Sequence, residues 1–267
     1  MQGERIKKRD WLLSIYGKLQ QMQEVDRVIP RYPKITEADF YRRHYYRNYP
    51  CLVQLNDNWA PLRWTHDTLR ERIGRHMVEV QSGRQNDPHY ERNNQKYRTN
   101  MRMEEFLDIC RSPSNDTYLT ANNASANVNA FSTLWDELQP MELPFLRDDA
   151  RPFLWIGPEN TITPYHHDLT NNLITQLQGT KRVHLVAPYN VGMMDNHTHC
   201  YSGHDLNSLN ESDPAVHVVD LWPGWALFIP VGWWHHIHAL EPSIGCTYTG
   251  FTQDNNFHSH YTTYGAV

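Results

Sequence analysis

The chain has 267 residues and a formal net charge of −5, long enough for one large domain or two small ones. Its acidic balance disfavours a general phosphate-binding surface, and with it a nucleic-acid partner. No apolar run approaches the roughly 20 residues of a membrane span, and the first residues lack the apolar stretch and small-residue cleavage site of a signal peptide. The four cysteines, at 51, 110, 200 and 246, form no CxxC pair. That pattern suits unpaired thiols in a reducing compartment, so the protein is expected to be cytoplasmic.

In chain order, residues 1–25 carry apolar positions at helical spacing, which predicts an amphipathic helix covering the core. A second helix is predicted after Thr36, with Glu37 and Asp39 at its positive end and Pro50 beyond it. CLVQL then reads as a strand. THDTLRERIG reads as a short helix capped at Thr65 or Asp67 and closed by Gly74. MVEVQSG alternates as a strand, Gln85 to Asn100 reads as a polar loop, and MRMEEFLDICRS as another helix. Thr117-Tyr118-Leu119 is short and strand-like. From Pro152 onward eight β-branched and aromatic runs follow, from FLWIG to SIGCTYTGF, separated by Gly, Pro and Asn. They predict a mainly β protein with N-terminal helices, its core an eight-stranded jelly roll, or double-stranded β-helix, of the cupin type. Residues 1–114 are read as a helical and mixed lead-in packed on a core of residues 115–267. Tyr189 to Pro214, rich in Asn, His, Ser and Asp, interrupts the strands as a long loop.

The chemistry is concentrated in TPYHHD and in IPVGWWHHIHAL. On a strand, residues two apart share a face, so His166 and Asp168 point one way and His167 the other. A third ligand from the second segment, His235, would complete a two-His, one-carboxylate set with open positions. His167 and His236 neighbour these ligands but face away on regular strands. Ligand identity alone leaves iron, zinc, manganese and nickel open. The cluster His197, His199, Cys200 and His204 would have to converge from one loop to bind a second metal, which is not expected.

The ordered motifs TPYHHD, NN, QLQGTKRVHLVAP and PGWALFIPVGWWHHI resemble the JmjC and cupin-like oxygenases, especially the asparaginyl-hydroxylase type and its bacterial relatives. The resemblance covers about residues 115–251. It implies Fe(II) as the metal, with 2-oxoglutarate and O₂ as co-substrates, held by His166, Asp168 and His235. It further implies that Lys181 grips the distal carboxylate of 2-oxoglutarate, helped by Thr163 and Tyr118, and that Asn172 lies near its metal-side carboxylate. From the residues alone Lys181 could equally snorkel to water at a strand end, Tyr118 could be an ordinary buried tyrosine, and Trp233 and Trp234 could be core rather than pocket frame. Aligned on TYTGF, Gly250 stands where the family has a second Asn and Thr252 where it has a Trp, which points to a different substrate pocket.

The implied reaction is hydroxylation of a protein or peptide side chain, coupled to decarboxylation of 2-oxoglutarate to succinate. Alternatives are a small-molecule or modified-tRNA-base hydroxylase, and a catalytically silent cupin-like binding module. The chain ends soon after the eighth strand, without the long C-terminal helices by which several members pair, so a homodimer stays an open expectation.

Overall fold

The computed structural model describes residues 8–22, 28–121, 124–139, 143–204, 209 and 212–261. Its helices are α1 (Lys8–Met22), α2 (Glu37–Phe40, continued by a π-turn through Tyr45), α3 (His66–Ile73), α4 (Met103–Ile109) and α5 (Ser125–Ala130). Four strands precede the predicted eight: β1 (Arg31–Tyr32), β2 (Cys51–Gln54), β3 (Met77–Gln81) and β4 (Arg98–Arg102). The eight runs are β5 (Phe153–Gly157), β6 (Ile162–His167), β7 (Asn172–Gln178), β8 (Lys181–Val186), β9 (Val216–Leu221), β10 (Trp225–Ile229), β11 (Trp234–Ala239) and β12 (Ser243–Tyr248).

Two sheets form the roll, in the orders β1-β2-β10-β7-β12-β5 and β6-β11-β8-β9. The mainly β, jelly-roll expectation is met. The N-terminal third is woven into it, because β2 pairs with β10 and Leu119 bridges to Ile156. Alternation sets the layers. Leu173 and Leu177 of β7 face the helices in a large cluster with Phe40, Phe106, Phe145 and Tyr248. Ile174 of β7 faces between the sheets with Val183, Leu185, Leu227 and Ile229. A third cluster of Tyr165, Val186, Met194 and Trp234 lies beneath the Tyr189–Pro214 insert.

Local expectations hold for the two capped helices. Thr36 accepts a hydrogen bond from the Asp39 amide, and Thr65 and Thr68 form a reciprocal capping box. Two expectations fail. Arg98–Arg102 is a strand paired with β3, not loop followed by helix; its side chains are largely exposed, so no apolar alternation marks it. α1 is not a core cover: among its residues of described burial, Trp11, Tyr16 and Met22 are exposed and Gly17 is the buried one, closing on Tyr189 and Asn190, while residues 1–7 and 23–25 of the predicted helix lie outside the described residues. All four cysteines are free, and among the described residues no helix is long and apolar enough to cross a membrane.

Candidate metal centre

His166 and His235 are direct partners across β6 and β11, which sets their ring centroids 4.1 Å apart with the planes tilted by 54°. Asp168 follows β6, with Oδ1 3.8 Å from His166 Nε2 and Oδ2 3.6 Å from His235 Nε2. One donor atom from each of the three lies within 4.8 Å of the others, and no second such group occurs among the described residues. Both imidazoles are oriented by the backbone: His166 Nδ1 donates to the Pro164 carbonyl and His235 Nδ1 to the Trp233 carbonyl, each at 2.9 Å. A carbonyl only accepts, so each Nε2 carries its lone pair toward the shared space. Burial, reinforced by neighbouring His166, pulls the His235 pKa down to about 4, which keeps it neutral and ligand-competent at pH 7. The Asn172 amide donates to Asp168 Oδ2, so its polar end is turned to the carboxylate of the centre.

The two neighbouring histidines face away. His167 packs edge-on against Trp234 at 4.6 Å and donates from Nδ1 to the Asp168 carbonyl. His236 is buried against the Tyr165 and His184 rings. Of the NHTHCYSGHD segment, His197 is exposed and bonded to Asp195.

The three residues open into a cavity of about 350 Å³, at the small end of ligand pockets. Tyr118, Thr163, Asn172 and Lys181 line it together with His166, Asp168 and His235. Thr163 and His166 lie three apart and would oppose one another on a regular strand. A bulge lets both face the cavity: two steps on β11, His235 to Ile237, span three on β6, with Pro164 and Tyr165 in between. At the far end Lys181 is 4 % exposed. Desolvation lowers its pKa to about 8, and among the described residues no carboxylate meets its ammonium. Opposite it Gly245 leaves a cradle: a Cβ there would sit 3.6 Å from Lys181 Nζ and 3.0 Å from Gln176 Oε1. A buried, unpaired ammonium is costly, and a dicarboxylate would neutralise it. Two imidazoles and a carboxylate with open positions suit a non-haem iron. The residues therefore fit both groups that the resemblance implies.

Three expected pocket residues lie elsewhere. Trp233 is buried between the sheets and donates from Nε1 to the Asn48 carbonyl; Trp234 belongs to the cluster under the insert. Thr252 bonds Tyr41 and Glu37 near α2. Gly250 is likewise turned away, against Ala150. The cavity positions on this strand are Thr247 and its extension Thr249, with Phe153 and Trp155 of β5 beside them. The alternation Gly245, Thr247, Thr249 against Ile244, Cys246, Tyr248 already carried that signal. Beside the centre, the Tyr201 backbone pairs with His166, and the Arg92 guanidinium lies 5.7 Å from the Tyr201 ring.

Residues 37–249 match the family described as cupin-like domain. The chain is 26% identical over 232 residues to "Lysine-specific demethylase JMJ30" of Arabidopsis thaliana, covering 78% of this chain and 51% of that protein. It is 34% identical over 104 residues to "Lysine-specific demethylase 8" of Xenopus tropicalis, covering 35% of this chain and 24% of that one. Over 109 residues it is 33% identical to "HSPB1-associated protein 1" of Rattus norvegicus, covering 36% and 23%. The chain thus spans about half the length of these relatives, or less. On the match over residues 37–249, the fold and the order of its motifs, the chain belongs to the JmjC-type cupin-like family.

Proposed function

We propose that the chain is an Fe(II)- and 2-oxoglutarate-dependent oxygenase that hydroxylates a protein or peptide side chain. The observation that carries this reading is the pairing, in one cavity, of an open His-Asp-His set with a buried ammonium lacking an anion. His166, Asp168 and His235 would hold the metal, and Lys181, with Thr163 and Tyr118 beside it, the distal carboxylate of 2-oxoglutarate. When bound, the two would supply the oxidising chemistry together with O₂: one oxygen atom of O₂ ends in succinate as 2-oxoglutarate loses CO₂, and the other enters a substrate C–H bond.

The chain's own residues bind, orient and exclude water. The carbonyls of Pro164 and Trp233 fix both imidazoles, and Asn172 fixes the carboxylate. Ile174 and Ile237 line the space between the metal end and Lys181 with apolar surface. Phe153, Trp155, Thr170 and Thr249 remain to receive a substrate side chain.

One observation favours a second reading within the same chemistry. The aromatic wall of Phe153 and Trp155 could receive an N-methylated ammonium through its π faces, and two of the relatives are named lysine demethylases. Hydroxylation of an N-methyl carbon would then release formaldehyde.

Aerobic incubation with Fe(II) and 2-oxoglutarate, with succinate as readout, tests the proposal. Succinate should form in the wild type and fall at least about 100-fold in Asp168→Ala or His235→Ala. Equal succinate in wild type and variants, or none from protein that also retains no metal, supports a silent binding module instead. Formaldehyde released from a trimethyl-lysine peptide would select the second reading.

A further inference from the structure

Arg84 is fully buried, a rare place for a guanidinium. It opens the segment 84–97, which leads into β4. Its Nη2 lies 2.9 Å from Glu91 of that segment and donates at 2.8 Å to the carbonyl of Ile162, the residue preceding Thr163. Its plane lies over two rings, Tyr90 at 4.3 Å and Tyr118 at 5.1 Å. Tyr90 adds its own bond to the Ile162 carbonyl, at 2.9 Å. Nε and Nη1 have no protein partner.

Such a group is a poor stability device. Buried ion pairs replaced by apolar side chains of similar size often leave stability unchanged or improved, and an incompletely bonded one is worse still. What Arg84 does is connect. On one side it touches Tyr118 and the strand residue beside Thr163, and Tyr118 and Thr163 line the same cavity as Lys181. On the other it holds Glu91. The next residue, Arg92, lies over Tyr201 and donates to the Ser202 carbonyl of the insert, while Tyr201 pairs with His166.

We propose that Arg84 is a positioning residue: it fixes Tyr118 and Thr163 for the distal carboxylate of 2-oxoglutarate and links occupation of that end to the order of segment 84–97. The inference rests on the oxygenase reading and goes beyond it, assigning a residue that does not itself line the cavity.

Arg84→Met keeps an unbranched apolar stem, two atoms shorter than arginine, and removes the charge; Glu91→Gln keeps the shape of the partner and removes its half of the pair. Each is loaded with Mn(II) and titrated with 2-oxoglutarate by calorimetry, and amide hydrogen exchange over residues 84–97 is followed with and without 2-oxoglutarate. The wild type should bind, and binding should slow exchange in the segment. In Arg84→Met the dissociation constant should rise about tenfold, with the slowing lost and Mn(II) affinity unchanged. Glu91→Gln should retain most of the 2-oxoglutarate affinity but lose the slowing, and it decides the matter if Arg84→Met does not fold. Arg84→Lys should recover part of the affinity. Wild-type binding together with unchanged binding and slowing in either variant overturns the inference and leaves the oxygenase reading standing. No binding by the wild type overturns both.

Discussion

Lys181 is stabilised in the protein only if something neutralises it. Its amine is buried, and desolvation lowers its pKa to about 8 from the usual 10.5. A lysine whose folded pKa lies below its unfolded one costs stability wherever both forms are charged. Between about pH 8 and 10.5 the unfolded chain binds the extra proton, so this cost fades as pH rises. Below pH 8 it is of the order of 3 kcal/mol. Lys181→Met should therefore raise stability to urea at pH 7 by up to about 3 kcal/mol, and by clearly less at pH 10, while 2-oxoglutarate binding is lost. A variant less stable than wild type at both pH values would show that the amine is already paired. Binding should also depend on pH in the wild type. Above about pH 8 the amine must regain a proton to meet the carboxylate, so 2-oxoglutarate affinity should fall by about tenfold per pH unit, with proton uptake visible by calorimetry in two buffers. Asn172→Ala should weaken metal binding by about 10- to 100-fold through loss of its bond to Asp168, measured by competition with a chelator. At this scale the ligand spacing His166-x-Asp168 was legible, because period two on a strand dictates it. The role of Asn172 as a partner of Asp168 was not, since it depends on where β7 starts relative to β6.

Two features of the elements decide whether these residues meet. One is the bulge in β6, which brings Thr163 and His166 to one side; Pro164 hinted at irregularity but no pattern in the sequence gives the pairing that creates it. The other is the turn from β7 to β8. Gly179 sits there at φ +70°, and a Cβ would lie 2.3 Å from the Pro242 carbonyl oxygen. Gly179→Ala should cost about 1–3 kcal/mol and displace the start of β8, from which Lys181 projects, read as a lower denaturation midpoint with weaker 2-oxoglutarate binding. Gly245→Ala is the contrasting case: its φ needs no glycine, but the added methyl enters the cradle beside Lys181, so 2-oxoglutarate affinity should drop while the metal is kept. The eight strands were readable from their β-branched and aromatic runs. β4 was not, because RTNMR is paired along one edge only and mostly solvated. Trp233 and Trp234 misled for a related reason. Adjacent to a ligand in sequence, they sit where the chain turns into β11, and their bulk fills the spaces on either side of the sheet rather than the cavity.

At the scale of the molecule, the roll closes apolar surface around one pocket and puts its polar groups where ligands would complete them. Folding and ligand binding are then linked. A ligand present at 100 times its dissociation constant stabilises by about 2.7 kcal/mol, and in a chain of this size each kcal/mol moves the melting point by about 2–4 °C. Fe(II) or Mn(II) with 2-oxoglutarate should raise the midpoint by several degrees, and a chelator should reverse it. The most direct measurement is anomalous diffraction at the iron edge from crystals grown without oxygen. One iron per chain bound by His166, Asp168 and His235, and absent in Asp168→Ala, is the predicted result; iron bound elsewhere, or retained unchanged in that variant, would contradict it.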